Sequence, residues 1–244
     1  MARIIAFHSF QQGTGKSSLL ANLAAVLAVD GRRVGVVDAD LHSPALHFLF
    51  GVGGGGGQPT LNDYLAGRRG IVEAARETLG GRLFFVPASF DPGEIARGLR
   101  EEYDVNRLDA GFKTLIQSFA LDVLLIDTHA GLSQATLLIF AVPDTLAIVL
   151  RPDQQDFQGT GVTVDVARKL NVPRLRLIVN KVPALYRADE VRARVEKAYG
   201  CEVTAVLPHS DDWMALAGAG LFALRFPDHP LTGLLRETAA RLAA

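Results

Sequence analysis

Short, almost wholly apolar runs recur along the chain at Ile4 to His8, Val34 to Asp38, Leu83 to Pro87, Val123 to Asp127, Leu146 to Leu150, Leu175 to Asn180 and Val203 to Leu207. They are rich in Val, Ile and Leu and lack the polar alternation of a strand with one wet face, so they read as strands covered on both sides. Between them lie segments with helical spacing. Lys16 to Val29 carries Leu19, Leu20, Leu23, Val26 and Leu27, and it is followed by Glu94 to Glu102, Leu108 to Phe119, Phe157 to Leu170, Asp189 to Tyr199 and Leu231 to Leu242. Strand and helix in alternation imply right-handed crossovers between parallel neighbours. The expected class is α/β: a doubly wound, mainly parallel sheet flanked by helices.

With 244 residues, 49 % of them hydrophobic, the chain suits one domain over 1–244. The glycine run at 51–58 does not join a strand to a helix and reads as a flexible linker inside that domain. Helices around Leu61 to Gly67 and Ile71 to Leu79 are expected to cap the sheet edge. A single cysteine, Cys201, excludes an intrachain disulfide framework and any four-thiolate metal site within one chain. The first residues read as a strand rather than a secretory signal. The most apolar region, Leu121 to Leu150, is interrupted by Asp122, Asp127, His129, Pro143 and Asp144, short of the roughly 20 unbroken apolar residues of a membrane span. A cytoplasmic, soluble protein is expected. The net charge of -1 gives no global attraction to nucleic acid.

Function is concentrated at the ends of three strands. After the first comes "HSFQQGTGKSS", in which Gly15, Lys16 and Ser17 match the end of a phosphate-binding loop while Phe10 occupies the position of its first glycine. Backbone N–H groups of Gly13, Thr14, Gly15, Lys16, Ser17 and Ser18 would converge on phosphate at a helix start, as in a P-loop NTPase. Lys16 would reach the terminal phosphates, and Ser17 would place its hydroxyl on Mg²⁺. After the second strand, "VVDADLHSPAL" carries Asp38 and Asp40 two residues apart, on one side of an extended chain. Asp38 is the candidate for the outer shell of Mg²⁺, and Asp40 for orienting the attacking water. The fourth apolar strand ends in Asp127, the Walker B position, and Gly131 follows as the flexible point of a switch loop.

Together with "LIVNKVP", these segments resemble in order and spacing the deviant-Walker ParA/MinD family of ATPases, over nearly the whole chain. The resemblance implies ATP binding, an ATP-sandwich homodimer, slow hydrolysis stimulated by a partner protein, and positioning of DNA, division proteins or other cargo. It also implies that Asn180 in "IVNKV", beside Lys181, reads the adenine edge, and that Pro208 in "VLPHSDDW" packs near the ring. The family loop reads K-G-G-x-G-K-[ST], so the absence of an early glycine at Phe10 is ordinary.

The departure lies at Gln11 and Gln12, where the family has its signature lysine and a glycine. Glutamine cannot supply the charge that crosses the dimer to the partner's phosphates. Two alternatives follow. In one, Arg151 in "VLRPDQQDF" supplies the cation, unless it is a surface arginine paired with Asp153 or Asp156. In the other, the protein is an ATP-binding scaffold with little hydrolysis, and Gln11 and Gln12 only donate hydrogen bonds.

For a surface to bind, nonspecific DNA is favoured over membrane, with nucleoid association as the corollary. Arg187, Arg192, Arg194 and Lys197 lie on or beside one helix, though Glu190 and Glu196 dilute them. The last segment, "LTGLLRETAARLAA", lacks the aromatic and lysine anchors of an interfacial helix and is expected to pack on the domain. His129, inside the second switch, is a candidate for coupling the γ-phosphate to partner binding. His42, His47 and His209 read as ordinary hydrogen-bonded histidines.

Overall fold

The computed structural model describes residues 2–52, 57–98 and 104–244. In chain order the elements are β1 (Arg3–His8), α1 (Lys16–Val29), β2 (Val34–Ala39), α2 (Leu46–Leu49), α3 (Leu61–Leu65), α4 (Ile71–Ala74), β3 (Arg76–Thr78), β4 (Leu83–Val86), α5 (Pro92–Gly98) and α6 (Val105–Ser118). There follow β5 (Val123–Thr128), α7 (Gln134–Phe140), β6 (Thr145–Leu150), α8 (Gln154–Lys169), β7 (Leu175–Val182), α9 (Ala188–Tyr199), β8 (Glu202–Pro208), α10 (Asp211–Ala215), α11 (Phe222–Arg225) and α12 (Pro230–Ala243).

The strands form one sheet in the order β3-β4-β2-β5-β1-β6-β7-β8, parallel except at the β3 edge. The chain leaves central β1 for β2 on one side and later fills β6 to β8 on the other. This makes the rim beside β1 a topological switch point, where doubly wound sheets bind ligands. Strand side chains alternate between two cores. Ile5, Phe7, Val36 and Leu125 face the layer of α1, α11 and α12, while Ala6, Val37, Ile126 and Ile148 face that of α6, α8 and α9.

Helix α1 buries Lys16 and ten further residues, including all four of its leucines. That follows from a sequence apolar nearly all round, enclosed by the sheet beneath and by α11 and α12 above. Helix α12 buries Leu231, Leu235 and Leu242 in the same core, so its apolar face packs on the domain. Among the described residues no helix is long and apolar enough to cross a membrane.

One expected element is different. The helix anticipated over Ile71 to Leu79 ends at Ala74, and Arg76–Thr78 pairs antiparallel with β4. Leu79, Gly80 and Gly81 take positive φ values of 47°, 64° and 78°, which turn the chain back on itself and cannot continue a helix. The three-residue strand is short and charged, which blunts an exposed sheet edge. The end of the helix expected over Glu94 to Glu102, and residues 53–56 of the glycine run, lie outside the described residues.

Candidate functional site

Strand register brings the three motifs together. Phe7 pairs with Asp127 across β1 and β5, and Asp38 pairs with Asp127 across β2 and β5. The phosphate-type loop, Gly13 to Ser18, leaves the rim beside these carboxylates and enters α1 through Gly15, at φ 86°, without any capping side chain. An uncapped helix start presents backbone donors to an anion.

The charges are buried. The Lys16 ammonium makes a short ion pair with Asp127, the two side chains being 6 % and 1 % exposed. It also lies 3.5 Å from the Ser17 hydroxyl. Asp38 is fully buried; its Oδ1 accepts from the Asp40 amide at 3.2 Å and its Oδ2 from the Leu46 amide at 3.4 Å. Burial, then the charges of Asp127 and Asp40, push the Asp38 carboxyl well above the ordinary range. Burial also raises Asp127, against the pull of Lys16. Asp40 goes the other way: although burial opposes ionisation, the hydrogen bond from His129 and the charge of Lys16 hold it below the ordinary range. His129 Nδ1 donates to Asp40 Oδ1 at 2.9 Å, and the Ser43 amide donates to the same oxygen at 2.9 Å. Three carboxyl groups thus lie around one lysine, and the raised Asp38 and Asp127 mark a place where a bound divalent cation would favour their ionised forms.

On the other side of the loop, β7 carries an irregularity between Val179 and Val182, with Lys181 at φ 57°. In a regular strand adjacent side chains face opposite ways. The bulge instead turns both Asn180 and Lys181 onto the loop: the Asn180 amide donates to the Thr14 carbonyl at 2.8 Å, and Lys181 Nζ to the Gly13 carbonyl at 2.8 Å. Burial, then the charge of Arg151, lowers the Lys181 pKa. Two cavities meet at this loop and share Gly15 and Ser18. One, of about 230 Å³, is lined by Gln12, Gly13, Lys16, Ser17 and Asp40. The other, of about 240 Å³, is lined by Asn180, Lys181, Pro208 and Trp213.

The profile of the CobQ/CobB/MinD/ParA nucleotide binding domain matches residues 5–221. The chain belongs to this family. An uncharacterized ATP-binding protein of Methanocaldococcus jannaschii is 30 % identical over 244 residues, spanning 99 % of this chain and 88 % of the relative. The septum site-determining protein MinD of Thermotoga maritima is 24 % identical over 227 residues, spanning 91 % of this chain and 80 % of that protein. In fold, the chain is similar to MinD complexed with Mg-ADP from Pyrococcus horikoshii, with a TM-score of 0.83 at 23 % identity, over 99 % of this chain and 96 % of that one.

Within this member of the CobQ/CobB/MinD/ParA family, the remaining expected residues fall as follows. Gln12 is exposed and lines the smaller cavity, and Gln11 is half-buried, its carbonyl accepting from the Ser9 hydroxyl at 2.8 Å. Arg151 is held by Asp156 at 2.8 Å and Asp153 at 3.2 Å. Of the basic residues on or beside α9, Arg187 pairs with Asp189 at the surface, Arg192 donates to the Val203 carbonyl, Arg194 lies 5.4 Å from the Phe157 ring, and Lys197 is exposed. Asp40 and His129 were separate readings in sequence; only the fold joins them. Sequence reasoning missed the reason for Phe10, whose ring packs against the backbone of Gly159 in α8. It also missed the β7 bulge, whose only local trace is an Asn-Lys pair.

Proposed function

We propose that this chain is an ATP-dependent dimerising switch of the ParA/MinD type that hydrolyses ATP slowly and positions a cellular cargo. The observation that carries the reading is the juxtaposition of an uncapped helix start, a buried lysine and three carboxyl groups beside two adjoining cavities that share Gly15 and Ser18. The donor set fits both groups. Gly13 to Ser18 and Lys16 would hold the phosphates of ATP. Ser17, with Asp38 and Asp127 behind it, would hold Mg²⁺, which neutralises phosphate charge when bound. Asn180 and Pro208 line the cavity that would take the base.

Asp40 is assigned to the attacking water. Its Oδ1 is fixed by His129 and the backbone, and its carboxyl is ionised, so the other oxygen is free to orient water and take its proton. His129 is a positioning residue that links this carboxylate to the switch loop, where the Gly131 amide donates to Ser9 of the phosphate loop at 2.9 Å. Lys181 places a cation on the loop near the glutamines, while Arg151 would act across a dimer only after leaving Asp156.

The test is light scattering and ATP turnover with Mg²⁺ for the parent and Asp40→Ala. ATP-dependent dimerisation of both, with turnover in the parent alone, is expected. Dimerisation with equally little turnover in both favours the scaffold alternative, and no dimer with ATP overturns both readings. Nonspecific DNA association would show as a salt-sensitive mobility shift requiring ATP, and binding to anionic vesicles in place of DNA would reverse that choice.

A further inference from the structure

A third cavity, of about 770 Å³, opens at the carboxyl end of β4, lined by His47, Arg68, Arg69, Arg76, Phe90 and Asp91 among others. Strand β4 lies beside β2 in the sheet, so this cavity shares the ligand-binding rim with the site above. Its volume is that of small-molecule sites.

The carboxylates around it are satisfied. Asp63 accepts from the Thr60 amide at 2.9 Å and from Arg68 at 2.9 Å, and Asp91 accepts from the Glu94 amide at 3.0 Å. Arg68 also pairs with Glu94 at 3.1 Å. Among the described residues Arg69 reaches only the exposed Glu73, at 3.8 Å. Among the described residues the Arg76 side chain makes one hydrogen bond, to the Pro59 carbonyl at 3.4 Å, and no ion pair. A half-buried guanidinium without a carboxylate is an anion site in waiting.

His47 forms the wall beside Arg76: burial, then the Arg76 charge, lowers its pKa, so it offers a ring face rather than a second cation. It is 3 % exposed and its Nδ1 is buried with no hydrogen-bond partner. Such an atom normally finds one. Its ring packs at 5.1 Å from Phe90, with which it forms an aromatic wall of the cavity, and is backed at 3.9 Å by Phe48, outside the lining. Phe90, which lines the cavity, is 49 % exposed, so its ring face is open to a ligand.

We propose that this cavity binds a small aromatic phosphate, its phosphate held by Arg76 and Arg69 and its ring lying against Phe90 and the His47 ring. Two guanidinium groups without buried carboxylate partners suit a dianion, and the wall suits a planar ring. Occupancy would reach the first site through one residue: His47 follows Leu46, whose amide is held by Asp38. That coupling rests on the nucleotide reading above; the binding itself does not.

Phenyl phosphate and inorganic phosphate are the probes, titrated by calorimetry into the parent, Lys16→Ala, Arg76→Gln and Phe90→Ala, with far-ultraviolet melts as the folding control. Phenyl phosphate binding is expected to persist in Lys16→Ala, and in the parent filled with ADP, and to weaken about tenfold or more in Arg76→Gln. Phe90→Ala should weaken phenyl phosphate but not inorganic phosphate. The His47 imidazole nitrogen resonances should move on titration. Loss of binding in Lys16→Ala and with ADP would place the probe on the phosphate loop and overturn the proposal, as would unchanged binding in a folded Arg76→Gln. Tighter capture of a phosphotyrosine peptide than of phenyl phosphate would overturn the small-molecule assignment.

Discussion

The ring of Phe10 occupies the space where a side chain on Gly159 would begin. The residue that stands at the first-glycine position of the loop is therefore an anchor, holding the loop's entry against α8. Because Gly159 is helical with ordinary φ, alanine there gains helix propensity of about 1 kcal/mol but must displace the ring.

Gly159→Ala is predicted to lower stability by about 1 to 3 kcal/mol net and to weaken ATP binding, by urea melts and nucleotide titration. Phe10→Ala in the same chain should restore part of the stability. If Gly159→Ala alone were as stable as the parent with unchanged ATP affinity, the anchor would not matter to the loop.

Gly15→Ala tests the opposite flank. At φ 86° an added Cβ is strained, and it would lie 2.7 Å from the Asn180 amide nitrogen. Loss of nucleotide binding with a fold retained by circular dichroism is expected. A variant that bound ATP normally would separate Asn180 from the loop's function.

His8 provides a pH dependence. Burial first, and the Lys16 charge second, depress its imidazole from 6.5 to about 3. Thr128 Oγ1 donates to the Phe7 carbonyl at 3.0 Å and lies 2.9 Å from His8 Nδ1, so Nδ1 carries the proton and the buried Nε2 has no partner. Between these pH values the unfolded chain binds the proton that the folded chain refuses, so this contribution is full above pH 6.5 and declines as pH falls. From pH 7 to pH 5 the parent should lose about 2 kcal/mol more than His8→Leu in urea unfolding. Parallel losses would show that His8 takes up its proton as readily in the fold as in the unfolded chain.

Arg151→Ala separates anchoring from catalysis. Asp156 is buried, with Oδ1 unpartnered, and its Oδ2 accepts from the Arg151 amide at 3.0 Å and from Nε. Because the arginine is itself a third exposed, its loss is predicted to cost about 1 to 2 kcal/mol, with little change in turnover per folded molecule. A fully stable variant that no longer dimerised with ATP would instead assign Arg151 to the partner's phosphates.

The sequence by itself determined the α/β class, because fully apolar runs need cover on both faces and can alternate with helices in few ways. It also located Lys16, Asp38, Asp40 and Asp127, because each ends or follows such a run. Even the β3 turn was legible in Gly80 and Gly81, though the helical pattern before them masked it. Tertiary structure alone decided the rest. Sheet register put Asp38 beside Asp127, the β7 bulge turned Lys181 onto Gly13, and packing of α8 gave Phe10 its place. Those contacts join residues up to 168 apart in sequence, and local pattern carries no information about which distant neighbours a strand order brings together.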